Sequence, residues 1–330
     1  MGTIQRRLNG KHTAKVRKSG FPAQSRTFLT RADAQRWITE TEAAMSRACF
    51  VDTTTARSLL LRDALHRYER EITPTKRGRE SEAIRVRALA RDALASYSLA
   101  NLTPAALAQW RDRRLRTVSG STVNRELNLL HHVIEVARKE WAVAIPSNPV
   151  SDMRRPRSNP GRTRRLSIPE QSVLLYECKR SRSWWLAPIV ELAVHTGMRQ
   201  GEVRSLLWEN IDLVKQVAVL PAAATKTLTM RGVPLNSRCV AILSSLPGDR
   251  RGPVFPDVTR NAVKLAFKRA RARAGLSDFR FHDTRHEATS RLFELGLNPV
   301  EVASVTGHKT QAMLARYTHL QASELVKKLG

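Results

Sequence analysis

Acidic residues are scarce in this chain of 330 residues: 29 Asp plus Glu stand against 57 Lys plus Arg, a formal net charge of +28. The deficit makes a polyanion, with nucleic acid the leading candidate, the expected partner. Cysteine is also scarce. Cys49, Cys178 and Cys239 lie far apart, are odd in number and form no Cys-x-x-Cys pair. That argues against a disulfide framework and a zinc knuckle, and fits a reducing cytoplasm. Long apolar runs are missing too. The most apolar, Trp184 to His195, is broken by Glu191 and falls well short of the roughly 20 residues that span a membrane. The opening MGTIQRRLNG has no apolar stretch of the kind a signal peptide carries, so no membrane partner is expected.

Basic residues recur from Arg6 to Lys328, and a hydrophobic content of 42% is enough for packed cores. The charge therefore belongs to a folded protein that wraps DNA, and the length suggests two or three domains. The fold class expected is mainly α and multidomain: a small N-terminal β-sheet plus helix over residues 1–52, a four-helix module over 53–149, a basic linker over 150–165, and a mixed, mostly α domain with a small β-sheet over 166–330. In the first segment, HTAKVRKSG and SRTFL read as two strands around a turn at Ser19-Gly20. Thr30 then caps a helix with the stripe Trp37, Ile38 and Met45. Lys15, Arg17 and Lys18 face either DNA or solvent. Helices follow at Leu59 to Tyr68, Arg79 to Tyr97, Thr103 to Arg114 and Ser121 to Glu140, the last burying Val123, Leu127, Leu130, Ile134 and Ala137. Arg125, Asn128, His131 and His132 lie off that stripe, where solvent or DNA contact explains them better than a metal. The linker VSDMRRPRSNPGRTRRL holds six arginines and reads as a strap along phosphates.

In the last segment, helices are expected at Pro169 to Lys179, Ser183 to His195, Gln200 to Leu207, Thr259 to Ala274, His282 to Gly296, Pro299 to Thr306 and from Gln311 onward. Strands are expected at Gln216 to Leu220 and Thr227 to Leu235. Arg199 follows a Thr-Gly break at a helix start, a position suited to an anion, with Glu202 three residues on as its partner. In FHDTRHEAT, His282 and Arg285 share a helical face, pairing an imidazole that can move a proton with a fork-shaped phosphate donor. A zinc reading of His282 and His286 has no third ligand and no HExxH pattern. His308 sits in a tight interhelical turn, and Tyr317 comes nine residues later.

Taken in order, TGMRQGE, then Thr-Lys before a strand, then HDTRH, then TGH, then a tyrosine, the chain closely resembles the tyrosine recombinase, or phage integrase, family over nearly its whole length. The resemblance implies an arm-type DNA-binding domain in the first fifty residues and a core-binding domain around STVNRELNLLHHVIEVARKEW. It also implies six catalytic residues: Arg199, Lys226, His282, Arg285, His308 and Tyr317. Lys215 competes for the lysine role, but the Thr-Lys-Thr setting of Lys226 matches the family better. The activity implied is cleavage and rejoining of double-stranded DNA through a 3′-phosphotyrosyl intermediate. In that chemistry Arg199, Arg285 and His308 clamp the phosphate, His282 takes the phenol proton and Lys226 protonates the leaving 5′-oxygen. No cofactor and no metal are required. The implied partners are DNA, a homo-tetramer formed on it, and accessory DNA-bending or directionality proteins; the setting is the cytoplasm of a prokaryotic or phage-infected cell, at the nucleoid. Two alternatives share the motifs: a topoisomerase-like enzyme that nicks and reseals without strand exchange, and a catalytically silent DNA-binding protein of the same fold.

Overall fold

The computed structural model describes residues 2–47, 51–162, 164–225, 229–315 and 317. The chain divides after Pro160 into two compact units. The first opens with a sheet of three antiparallel strands, β1 (Gly2–Arg6), β2 (His12–Val16) and β3 (Gln24–Phe28), in the order β1-β2-β3. Two strands were expected. The additional one, β1, is polar and half exposed, so it carries no apolar alternation to announce it; only Ile4, paired with Ala14, meets the core. Thr30 caps α1 (Arg31–Ser46), its Oγ1 accepting from the Asp33 N–H at 3.1 Å. Ala34, Ile38 and Met45 then pack on Ala14 and Val16, with Trp37 half-buried beside them. Lys15, Arg17 and Lys18 are exposed.

The helical part comprises α2 (Thr54–Ser58), α3 (Leu61–Glu71), α4 (Arg79–Ala90), α5 (Pro104–Leu115) and α6 (Gly120–Lys139). The helix expected from Arg79 to Tyr97 stops at Ala90. There the Asp92 carboxylate accepts from the Leu94 N–H at 2.9 Å and starts a separate 3₁₀ turn, a local bond that competes with helix continuation. All five residues expected to face the core from α6 are buried, among Leu61, Leu65, Tyr68, Leu107 and Trp110. Burial of each such large side chain contributes roughly 1.5–3 kcal/mol. Arg125, Asn128 and His132 are exposed and His131 is half-buried. His132 is not free for DNA alone, since its Nδ1 meets the Tyr68 hydroxyl at 2.6 Å.

The arginine-rich stretch is not a uniform strap. Up to Pro160 it lies on α6, where Asn124 donates to the Pro156 carbonyl at 2.8 Å and Arg155 to Asn128 at 2.5 Å. Beyond it, Arg162 pairs with Asp283 at 2.7 Å, Arg164 with Glu170 at 2.6 Å and Arg165 with Glu287 at 3.0 Å. These three arginines are neutralised by carboxylates of their own unit, which corrects the expectation that all six face phosphates.

The second unit contains α7 (Ile168–Lys179), α8 (Leu186–Thr196), α9 (Gln200–Arg204), the antiparallel strands β4 (Ile211–Asp212), β5 (Val217–Leu220) and β6 (Arg231–Pro234), then α10 (Ser237–Ser244), α11 (Arg260–Arg273), α12 (Asp283–Glu294), α13 (Pro299–Thr306) and α14 (Gln311–Leu314). β4 and α10 were not expected, and α9 ends at Arg204 rather than Leu207, giving way to a 3₁₀ turn at Trp208–Asn210. Of the strand expected from Thr227, Arg231–Pro234 is observed; Lys226, Thr227 and Leu228 lie outside the described residues, as do residues 318–330 of the helix expected from Gln311 onward. The apolar run noticed in the sequence is α8, the central helix. Its Ile189, Leu192 and Ala193 belong to one core and its Leu186, Ala187 and Val190 to a second. Among the described residues no helix is long and apolar enough to cross a membrane.

Candidate active site

The site is built where α8 ends. Gly197 takes φ +66°, a left-handed conformation that closes the helix and that side chains resist. A Cβ there would lie 3.3 Å from Ala288 on α12, so the glycine also lets α8 and α12 approach. Through this contact the Gly197 carbonyl accepts from Arg285 Nη1 at 2.7 Å, and two residues later Arg199 opens α9. Glu202 is the shared anchor. Its carboxylate, 2% exposed, accepts from the Arg199 N–H at 2.8 Å and from Arg199 Nη1 at 2.9 Å. It also receives Arg231 of β6 at 2.8 and 3.2 Å. Burial pushes its pKa up, but hydrogen bonds from Arg231 and from the Arg199 backbone pull harder and leave it below the usual carboxylate value.

Arg285 is 2% exposed, and its Nη2 is buried without a hydrogen-bond partner in the protein. Burial, followed by the positive charge of Arg199, pushes its pKa down to about 9. His308 follows Gly307, whose φ of +72° ends α13. Thr306 Oγ1 donates to the Val302 carbonyl at 2.6 Å, so it accepts from His308 Nδ1 at 2.7 Å. That bond fixes the tautomer: the proton is on Nδ1, and the neutral ring presents a lone pair at Nε2. Burial, then Arg285, Arg199, His286 and His282, push the His308 pKa down to about 3.

Tyr317 is half-buried, its hydroxyl hydrogen-bonded to Nδ1 of His286. Its ring stands 6.2 Å from that of His308 and stacks on Phe293 at 6.4 Å. His282 holds the N-terminal cap position of α12 with its ring 5.3 Å from His286. Arg199, His282, Arg285, His308 and Tyr317 are thus gathered at one corner of the second unit. Lys226 lies outside the described residues, and its competitor Lys215 is exposed and paired with Asp212 at 3.7 Å. Among the described residues no group of three or more His, Cys, Asp or Glu is placed to hold a metal.

Two participants were not assigned from the sequence. Arg231 ties the corner together, bonding to Glu202 and, through Nε, to the Val305 carbonyl at 3.1 Å. Its place in Arg-Gly-Val-Pro-Leu gave no sign of a carboxylate 29 residues earlier. His286 was noticed only as a weak metal ligand. Its spacing of four from His282 put it on the same helical face, a signal sufficient to raise it but not to find its partner. Chemically the corner is cationic, open to solvent on the side of His282 with Arg285 and Glu202 buried beneath it, and equipped with a phenol, an arrangement suited to an anion that reacts with a tyrosine.

A model of the phage integrase family matches residues 165–324. The shufflon-specific DNA recombinase of Escherichia coli is 39% identical over 282 residues, covering 83% of this chain and 72% of that protein. The integrase of Salmonella phage P22 is 28% identical over 223 residues, 63% of this chain and 56% of that one. Among solved structures, a lambda integrase dimer bound to a COC′ core site covers 95% of this chain and 93% of its own at a TM-score of 0.64 and 21% identity. The Tn1549 transposon integrase in complex with circular intermediate DNA covers 83% and 100% at 0.65 and 16%. At those identities the structures establish the mixed, mostly α multidomain fold. The kinship to the shufflon recombinase, extending across most of both sequences, goes further: this chain belongs to the tyrosine recombinase, or phage integrase, family and is a site-specific DNA recombinase.

Proposed function

We propose that the chain cleaves and rejoins double-stranded DNA through a 3′-phosphotyrosyl intermediate on Tyr317, integrating or excising a mobile element. The observation that carries this reading is Arg285 Nη2, a buried guanidinium nitrogen without a protein partner beside a second arginine, Arg199. A buried charged donor left unpaired costs more than about 1–3 kcal/mol. A non-bridging phosphate oxygen relieves that cost and draws on both guanidiniums.

The placement of Arg199, Arg285 and Tyr317 supports the following chemistry, in which the role of Lys226 rests on the family resemblance. Arg199 and Arg285 bind the phosphate oxygens. As Tyr317 Oη bonds to phosphorus, the bond to the 5′-oxygen breaks, and Lys226 supplies that oxygen with a proton. The phenol proton passes to an imidazole of α12. Since His308 Nε2 offers a lone pair while neutral, donation to the phosphate requires it to take up a proton when DNA binds. The phosphodiester energy is kept in the phosphotyrosine, so neither ATP nor a divalent metal enters. A lambda integrase tetramer has been solved on a Holliday junction, which supports a tetramer exchanging strands in pairs here too. Residues 1–52, with Lys15, Arg17 and Lys18 exposed, then serve as an arm-type DNA-binding domain and 53–149 as the core-binding domain, with accessory DNA-bending or directionality proteins as further partners.

The test is a suicide duplex bearing a recombination site identified in the DNA around the gene. Wild type is expected to form a covalent adduct, and Tyr317→Phe to bind without forming one. Lys226→Ala should recover cleavage on a 5′-bridging phosphorothiolate, whose leaving group needs no proton. Failure of wild type to form an adduct would overturn the reading.

A further inference from the structure

α12 carries two histidines one turn apart, and both face the tyrosine corner. The order of the motif points to His282 as the base, since it completes the His-x-x-Arg pair. The side chains point to the other. Nδ1 of His286 is hydrogen-bonded to the Tyr317 hydroxyl, with the two rings 5.7 Å apart. Two turns further along the same helix, Phe293 stacks on the phenol at an interplanar angle of 16°. One helix therefore holds both the hydroxyl and the ring of the nucleophile.

We propose that His286 is a catalytic residue whose Nδ1 accepts the Tyr317 proton as the phenol attacks phosphorus. This deepens the phosphotyrosyl reading and rests on it. In the forward step the Oη–H bond breaks and Nδ1–H forms, Oη–P forms and P–O5′ breaks, with the 5′-oxygen taking its proton from Lys226. In the rejoining step O5′–P forms and Oη–P breaks, the attacking 5′-hydroxyl gives its proton back to Lys226 and His286 returns its own to Oη, so no proton has to enter from solvent. For the phenol to donate, Nδ1 must present its lone pair, which places the His286 N–H on Nε2. His282 packs against this ring at 5.3 Å between centroids, so its removal also disturbs the acceptor.

Among the described residues, the titratable and charged groups facing this corner include His282 and Arg285 on α12, His308 from the turn after α13, Tyr317 itself, and Arg199 with the Glu202–Arg231 pair. From α8, Glu191 is engaged by Arg238 and His195 by Asn236. A protonated His286 cannot accept, so the cleavage rate is expected to fall as the pH is lowered.

First-turnover adduct formation on the suicide duplex, followed against pH, tests this with four variants. His286→Ala and His286→Asn are expected to bind DNA as wild type does, to cleave about 10²–10⁴-fold more slowly, and to lose the acidic fall. Asn sets its amide oxygen where Nδ1 stands and so keeps the bond to the phenol without the basicity. Recovery of His286→Asn to within about threefold of wild type would reduce His286 to a bracket and overturn the proposal. His282→Gln is expected to slow cleavage while keeping the acidic fall; loss of that fall in His282→Gln alone would assign the proton to His282 instead. Tyr317→Phe separates the two questions. An adduct in wild type that disappears in Tyr317→Phe upholds the phosphotyrosyl reading whatever His286 does, and no adduct in wild type sinks both.

Discussion

Arg285 is placed where folding alone would not put it. Its guanidinium is buried, pushed down to about 9 by burial and by Arg199, and keeps one nitrogen unpaired, so the position works against stability in the free protein. Replacing it with an apolar side chain of similar reach should separate the two effects. Arg285→Met is expected to melt no lower than wild type while adduct formation falls by about 10²–10³; a clear drop in melting temperature would contradict a ligand-free strain at this residue. His308 makes a second residue-scale prediction. In the fold it titrates near about 3, whereas an unfolded histidine titrates near about 6.5. The unfolded chain therefore binds the extra proton between those values, and His308 removes stability as pH falls from about 6.5 toward about 3. His308→Gln should flatten that part of a melting profile. By the same sign, DNA that raises the His308 pKa takes up a proton on binding, and calorimetry in buffers of different ionisation heat would detect it. The converging segments were legible in the sequence because helix punctuation marks them: Thr-Gly before Arg199, Gly-His at His308. Which of His282 and His286 meets the phenol was not, because it depends on how Tyr317 folds back from 31 residues away.

Between elements, Glu202 and Arg231 form the cross-link. The pair joins the start of α9 to β6, and Arg231 goes on to the last turn of α13. Gly307 leaves room for it, since a Cβ there would come within 2.9 Å of Arg231 Nη1. β6 and the turn that carries His308 are thereby referenced to the carboxylate that holds Arg199. Glu202→Ala strands a buried arginine and is expected to cost about 3–5 kcal/mol. Pairing Glu202→Leu with Arg231→Met should restore much of that in a denaturant titration yet leave cleavage slow, because Arg199 has lost its support. Additive losses in the double variant would show that the two residues act separately. Element recognition from sequence succeeded where a cap and a long stripe coincided, as at Thr30 and along α6. It missed α10, although Asn236 caps it by accepting from the Cys239 N–H at 2.9 Å and Cys239, Ile242 and Leu243 are buried. Eight residues between strand and loop give too few turns for a periodicity to stand out. It missed β4 because two residues have no periodicity at all.

At the scale of the whole molecule, the formal charge of +28 overstates what DNA meets. Arg162, Arg164 and Arg165 already face Asp283, Glu170 and Glu287, the first and last of these carboxylates 1% and 2% exposed, and breaking such a pair leaves a buried charge. No carboxylate among the described residues pairs with Arg154, Arg155 or Arg157. Composition could not distinguish the two halves of this stretch, because a paired and an unpaired arginine count alike; only the carboxylates they meet do so, Glu170 six positions after Arg164 and Asp283 and Glu287 121 and 122 positions after Arg162 and Arg165. The two groups should then differ in salt dependence. Each phosphate contact adds about 0.9 to the slope of log affinity against log salt, so replacing Arg154, Arg155 and Arg157 together by Gln is expected to lower the slope by up to about 2.7 with little change in melting. Replacing Arg162, Arg164 and Arg165 should leave the slope within about 1 of wild type and lower the melting temperature instead. Equal slopes lost by both triple variants would mean that the carboxylate pairs open on DNA and that the whole stretch is a phosphate strap after all.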